Sequence, residues 1–290
     1  MTDPTRVALL GATGNLGGHI ARQVLQHGWA LSVGVRNRSR LSAELAAQAQ
    51  VVDVDLDSAT VAQLARFADD HDAFVFCAGV VTEGDAFVAL FDKAVSAIEA
   101  LPADRRPVSW FLAGAALLPL DSRGRLGVDL PKVRDTYGPH RRNFARLQAS
   151  PIDWRLLCPG PMVEQPALGL GQLRVATDRL PVPLPAIAAS LPGPLLLPLF
   201  ALAIPTMIVP YADAAAVVLA RLGRDDPSSR RRVGVALPKG VRGRKDQWAA
   251  APKSGRPPGH YFRKPLAKSR MRTSAYCSSD AIGWPALVTT

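Results

Sequence analysis

Residues 6–18 read Arg6-Val7-Ala8-Leu9-Leu10-Gly11-Ala12-Thr13-Gly14-Asn15-Leu16-Gly17-Gly18. A short apolar run leads straight into glycines three residues apart, and a helical pattern then runs from Leu16 to His27 before Gly28. A strand that feeds such a turn lets the backbone reverse tightly, approach a ligand closely and pack the following helix on the sheet. The helix start presents unpaired N–H groups and the positive end of the helix dipole, which suits a phosphate. The stretch therefore predicts a dinucleotide-binding α/β domain, with Gly11, Thr13, Gly14, Asn15, Leu16 and Gly17 at the pyrophosphate.

The rest of the first half keeps the same rhythm. Strands are predicted at residues 6–10, 31–35, 50–54, 73–77, 108–113 and 154–157, alternating with helices at 16–27, 58–68, 85–101 and 139–149. Such alternation is the signature of βαβ units around a parallel sheet. The expected fold is a Rossmann-type doubly wound parallel sheet with a small carboxyl-terminal substrate or cap region. Residues 1–160 form the predicted dinucleotide-binding core. Residues 161–238 form the cap region, with a helix at 213–222 and a last strand at 232–237, and residues 239–290 form a basic tail. The tail has few apolar residues and many of Gly, Pro, Ser, Lys and Arg, a composition that predicts an extended or disordered chain.

Composition agrees with a globular body, since 48% of residues are hydrophobic and 20% charged. The formal charge of +11 is concentrated in the tail, where eleven basic residues from Lys239 onward face only Asp246 and Asp280. The part before the tail is nearly neutral, so no nucleic-acid partner is expected. Cys77, Cys158 and Cys277 are too far apart in sequence to suggest a disulfide framework or a metal site. No metal is expected. The amino terminus lacks a basic region followed by an apolar leader, which makes a cytoplasmic location the default expectation.

The second predicted strand ends in Arg36, where a site selecting NAD would carry an acidic residue for the ribose 2′-hydroxyl. A guanidinium suits a 2′-phosphate, because its planar fork donates several hydrogen bonds and keeps its charge. NADP(H) is accordingly expected over NAD(H). Asp55 and Leu56 follow the third strand and Ala78 and Gly79 the fourth, at the strand ends where ligands of open α/β sheets sit. Asp55 is a candidate for the adenine and Gly79 for the adenosine ribose, a capping aspartate and a plain turn glycine being the alternatives.

Residues 180–211, from Leu180 to Tyr211, contain no charged residue and eight prolines. The apolar length approaches that of a membrane span, yet interior prolines break helices. A lid over a small-molecule substrate is the favoured reading. A dimer contact and a peripheral membrane contact stay open.

With these residues in view, the chain resembles the atypical short-chain dehydrogenase/reductase group of NAD(P)H-binding proteins, of the NADH-flavin reductase-like and NmrA-like kind. The likeness rests on the GATGNLGG turn at residues 11–18, Ala113-Gly114-Ala115, Ser150-Pro151-Ile152-Asp153-Trp154, Cys158-Pro159-Gly160 and Tyr211-Ala212-Asp213. The resemblance implies that Gly114, Ala115, Pro159, Gly160 and Pro161 line the nicotinamide side. It also has gaps. The short-chain dehydrogenase pattern uses a Tyr with a Lys four residues later and a Ser after the fifth strand, whereas here Tyr137 is followed by Arg141 and Ala116-Leu117-Leu118 offers no serine. Tyr137-Gly138-Pro139 also reads as the turn before a helix. Tyr137 and His140 are thus the candidate catalytic residues, a packed tyrosine and a helix-start histidine being the alternatives. The resemblance implies an NADPH-dependent oxidoreductase acting on a small apolar acceptor such as a flavin, quinone or carbonyl. A non-catalytic NADP(H)-sensing regulator and a nucleotide-sugar epimerase or dehydratase are the other readings.

Overall fold

The structure, a computed structural model, describes residues 6–243. The extended chain expected from residue 244 onward, and Cys277 with it, lies outside the described residues. Strand β1 (Arg6–Leu10) is buried at every position after Arg6. Near-continuous apolar sequence is what a strand covered on both faces needs. The order continues as α1 (Asn15–Gln26), β2 (Ala30–Val35), α2 (Ala43–Gln48), β3 (Gln50–Asp53), α3 (Val61–Ala68), β4 (Ala73–Phe76), α4 (Asp85–Glu99), β5 (Val108–Leu112), α5 (Val133–Gln148) and β6 (Trp154–Cys158). Then come β7 (Met162–Val163), β8 (Arg174–Thr177), α6 (Gly193–Ala203), β9 (Val209–Pro210), α7 (Tyr211–Leu219) and β10 (Arg231–Ala236).

The main sheet runs β3-β2-β1-β4-β5-β6-β10-β8. It is parallel except for β8, which pairs antiparallel with β10. Helices α1 and α7 pack together on one face, and α3, α4 and α5 pack in sequence on the other. Strand order reverses between β1 and β4, which places a crevice outside their carboxyl ends. The glycine turn at residues 11–14 leaves β1 at that point.

Four features depart from expectation. Helix α5 begins at Val133, six residues before the predicted start at residue 139, so Tyr137 and Pro139 lie inside a helix and not in a turn before it. Proline at this position removes one helical hydrogen bond. Burial of Val133, His140 and Leu147 on one side of α5 offsets that loss. In the same way α6 runs through Pro198, with Leu196, Phe200 and Ala203 buried. The edge strand β8 was not foreseen, because four residues of mixed polarity carry no strong period. The late helix starts at Tyr211 and the last strand lies beside β6, so residues beyond 160 contribute α7, β8 and β10 to the core layers.

The uncharged stretch is fastened by a half-buried arginine that also pairs with Asp121. Arg125 donates from Nε to Asp121 at 2.6 Å, and its other nitrogens donate to the carbonyls of Leu191 at 2.5 Å and Ala188 at 2.6 Å. Leu180 is buried and Pro181 packs where a side chain on Gly234 of β10 would stand. The stretch therefore lies over the carboxyl ends of the later strands. Among the described residues, no helix is long and apolar enough to cross a membrane.

Candidate functional site

Gly11 has φ +99, and a side chain there would meet the Cys77 carbonyl carbon at 2.7 Å. Glycine is thus required both for the left-handed backbone and for the contact with the end of β4. At Gly17 a Cβ would stand 2.1 Å from the Gly11 carbonyl oxygen, so the first turn of α1 lies directly on the loop. Gly14 closes the turn by donating its N–H to Gly11 at 2.9 Å. It is also the N-cap of α1, with no side-chain cap and no acidic residue in the helix's first turn. The first N–H groups of the helix are left for an anion, which fits a pyrophosphate. Thr13 is half-buried beside them and Leu16 is buried, so Leu16 contributes through its backbone.

Leu10 pairs with Gly34 across β1 and β2, which puts Arg36 just beyond the strand ends next to the glycine turn. Arg36 donates to Asp57 at 3.3 Å. Arg38 is bound to Asp53 at 2.8 and 3.1 Å, and this bonding holds the Asp53 carboxyl below its usual range. Asp55 accepts from the Asp57 N–H and the Ser58 hydroxyl at 3.3 Å, so it caps the turn that carries Leu56. Lys93 of α4 donates to the Leu56 carbonyl at 2.8 Å and holds that turn down. A cleft of about 780 Å³ starts at Arg36 and Asp55 and runs along β3 to His71, where His71 Nε2 and Ser32 Oγ are 2.8 Å apart.

The remaining predicted residues form a continuous rim. Ala78 follows Cys77, and Gly79, at φ +90, lies so close to Phe87 that a Cβ would meet its ring at 2.8 Å. The Phe87 ring stands edge-on to His140 at 5.6 Å, and His140 stacks on Tyr137 at 6.2 Å. A Cβ on Gly114 would lie 4.0 Å from the same imidazole. The Ala115 N–H donates to the Pro159 carbonyl at 2.7 Å, and Gly160 lets Met207 approach within 2.5 Å of its Cβ direction. Pro161 accepts from the Val209 N–H at 3.1 Å, tying this end to the apolar stretch.

Electrostatics separate the two candidate proton donors from the roles first envisaged. Burial pushes the His140 imidazole down to about 4, and Nδ1 has no hydrogen-bond partner among the described residues. Burial raises the Tyr137 phenol. Arg141, four residues on, points elsewhere and holds Asp129 at 2.9 Å. Neither the tyrosinate nor the imidazolium is therefore favoured near neutral pH. His140 should instead govern acid stability. The unfolded imidazole takes a proton near 6.5 and the folded one near 4, so the unfolded state binds more protons in between. The contribution of the neutral imidazole is expected to be present in full above about pH 6.5 and to be lost, on the order of a few kcal/mol, as the pH drops to about 4. Urea midpoints across this window should show a markedly shallower loss for His140→Leu, and parallel curves would dismiss the imidazole as the cause.

His19 and Glu164, and the contacts that tie them and Asn15 to the late helix, were not singled out from sequence. Asn15 donates from its amide to the Tyr211 hydroxyl at 3.2 Å, His19 stacks on the same ring at 6.0 Å, and His19 Nε2 lies 3.1 Å from Glu164. Asp213, fully buried, accepts the N–H groups of Leu168 and Gly169 at 2.9 and 3.0 Å. These contacts join α1, α7 and the loop after β7 across roughly half the chain. No local spacing signals them, although the Tyr211-Ala212-Asp213 run was visible.

A doubly wound sheet with an uncapped helix start on a glycine turn is the architecture of the Rossmann class. More particularly, the chain belongs to the NAD(P)H-binding family, whose profile matches residues 11–187. No curated protein sequence matches it. Solved structures share the fold at low identity. One is a Streptococcus pneumoniae protein whose name proposes an NADH-flavin reductase (16% identity, TM-score 0.58, 80% of this chain and 99% of that one). A Rossmann-fold NAD(P)-binding family protein of Shigella flexneri aligns at 16% identity and TM-score 0.57, over 83% and 97% of the two chains. An oxidoreductase of Lactococcus lactis aligns at 16% identity and TM-score 0.56, over 84% and 95%.

Proposed function

We propose that the protein is an NADPH-dependent oxidoreductase that reduces a small apolar acceptor, a flavin or quinone before a carbonyl. The observation that carries this reading is the rim itself, polar at Gly14 and Arg36 and increasingly apolar from Gly79 through Gly114 to Pro159. The helix start would hold the pyrophosphate, Arg36 the 2′-phosphate, and Asp55, Leu56, Ala78 and Gly79 the adenosine. Gly114 and Pro159 would leave room at the nicotinamide end. A bound nicotinamide supplies the hydride, so the protein mainly positions the reactants. A neutral buried His140 and a protonated Tyr137 suit an acceptor that draws its proton from solvent, as flavins and quinones do. The same two residues weigh against a nucleotide-sugar epimerase, which would need a tyrosinate.

Loss of NADPH absorbance in the presence of flavin, quinone and aldehyde acceptors tests the reading. Turnover with a flavin or quinone is expected. Tight NADP(H) binding without turnover on any acceptor would favour the second reading, a non-catalytic NADP(H) sensor, which the lack of a poised proton donor also supports.

Cofactor choice has its own test. Calorimetric titration should give tighter binding of NADPH than NADH, and Arg36→Ala should narrow the difference by about tenfold, since a charge-assisted bond contributes about 1.5–3 kcal/mol. Equal affinities in the wild type would remove the argument. Asp57 competes for Arg36 at 3.3 Å, so Asp57→Asn should widen the preference.

A further inference from the structure

Residues 180–211 contain no Asp, Glu, Lys, Arg or His. Within them α6 buries Leu196 and Phe200 against the body, while Leu195 and Leu202 are 56% and 60% exposed. Seven residues apart, these two leucines project from the same side of the helix. Ile187, ahead of α6, is 64% exposed. Large aliphatic groups held in water on an uncharged segment mark an interaction surface.

Three exposed basic residues belong to segments that contact this stretch. Arg123 is exposed in the turn whose Arg125 grips the carbonyls of Ala188 and Leu191. Lys132 is exposed two residues past Leu130, which packs at Gly193. Arg242 donates to the Leu202 carbonyl at 3.0 Å, and the Gly243 N–H donates to Pro205 at 2.8 Å. Residues 242 and 243 thus lie beside the end of α6. Two of the neighbouring acids are paired, Asp121 with Arg125 and Asp129 with Arg141, while Asp135 is exposed on α5.

An apolar centre with basic residues beside it selects among occupants. A second copy docked through the same face would bring like charges together, which costs free energy. An anionic bilayer surface accepts aliphatic side chains at the headgroup boundary and attracts Lys and Arg to its phosphates. We propose that the face carrying Ile187, Leu195 and Leu202 docks on an anionic lipid surface, with Arg123, Lys132 and Arg242 meeting the headgroups. Docking is peripheral, because α6 has 11 residues and a span needs about 20. The proposal does not depend on the reaction catalysed.

Flotation of the full-length protein with vesicles tests it, using phosphatidylcholine alone or mixed equally with phosphatidylglycerol, at low and high salt. The wild type is expected to float with the anionic vesicles, less so at high salt, and to stay behind with phosphatidylcholine alone. Leu195→Glu with Leu202→Glu should weaken binding about tenfold or more while the thermal transition is kept. Ile187→Glu, outside the helix, serves if that double variant misfolds. Equal flotation of wild type and variants would overturn the proposal, since charge alone would then explain binding. Failure of the wild type to float would overturn it too. So would a dimer in sedimentation that the variants abolish without any flotation, which would make the face a self-association surface.

Discussion

Gly17→Ala is expected to abolish measurable NADPH binding and to lower stability by about 3 kcal/mol or more, at the upper end of what overpacking costs. The added carbon would stand 2.1 Å from the Gly11 carbonyl oxygen and 2.7 Å from its carbon. Both are backbone atoms, so no side-chain rotation can relieve the overlap. The first turn of α1 would have to lift off the loop, and Leu16, Ile20 and Val24, buried beneath the helix, would lose packing with it. The N–H groups proposed to hold the phosphates would move as well. Gly14→Ala is the informative contrast, because its Cβ would meet the Gly11 oxygen at 3.3 Å and its φ of −90° is open to alanine. That variant should fold normally. Thermal melts and calorimetric titrations of both variants check the pair, and wild-type affinity in Gly17→Ala would show that the turn is not the phosphate cradle.

The second large effect is expected at Arg125, where Arg125→Met should destabilise the protein by about 3 kcal/mol. Breaking a buried pair typically costs about 3–5 kcal/mol, because one charge is left uncompensated. Asp121 has a side chain only 1% exposed, whereas Arg125 is 29% exposed, which argues for the lower end. The loss also orphans the Leu191 carbonyl and leaves the Ala188 carbonyl with only the Leu191 N–H, so residues 180–192 should become open to proteolysis. The pH dependence has a definite sign. Burial pushes the Asp121 carboxyl up, but the Arg125 guanidinium and the N–H groups of Arg125 and Arg123 outweigh it and hold the carboxyl below its ordinary 3.8. Its contribution is thus present above that value and is lost as the pH falls through the lower folded one. The difference between wild type and Arg125→Met should therefore shrink in acid. Urea unfolding at neutral and acid pH measures it, and a constant difference would mean that Asp121 is not the group involved.

Apolar periodicity and glycine spacing made the core of this fold legible. β1, the glycine turn and α1 are local: each follows from residues within one βα unit, and burial on both faces writes itself as an unbroken apolar run. The same holds for Gly11, Gly14 and Gly17, whose roles depend on contacts inside that unit or at the neighbouring strand end. Helix α5 was misjudged at its start because Pro139 is a strong local breaker. Long-range burial of Val133 and Leu147 overrides it.

The sequence by itself determined the doubly wound sheet, the glycine turn and the basic charge of residues 239–290, because these depend on neighbours along the chain. Only the tertiary structure decided what surrounds them. It bound Arg36 to Asp57 and Arg38 to Asp53, tied Arg141 to Asp129, and buried His140 so that its imidazole is neutral. It also wove β10 beside β6, set Tyr211 on Asn15, and turned Leu195 and Leu202 outward while Phe200 faced in. Proton affinity and exposure are set by the low-dielectric packing and the charges that folding brings together, and residues far apart in sequence supply both.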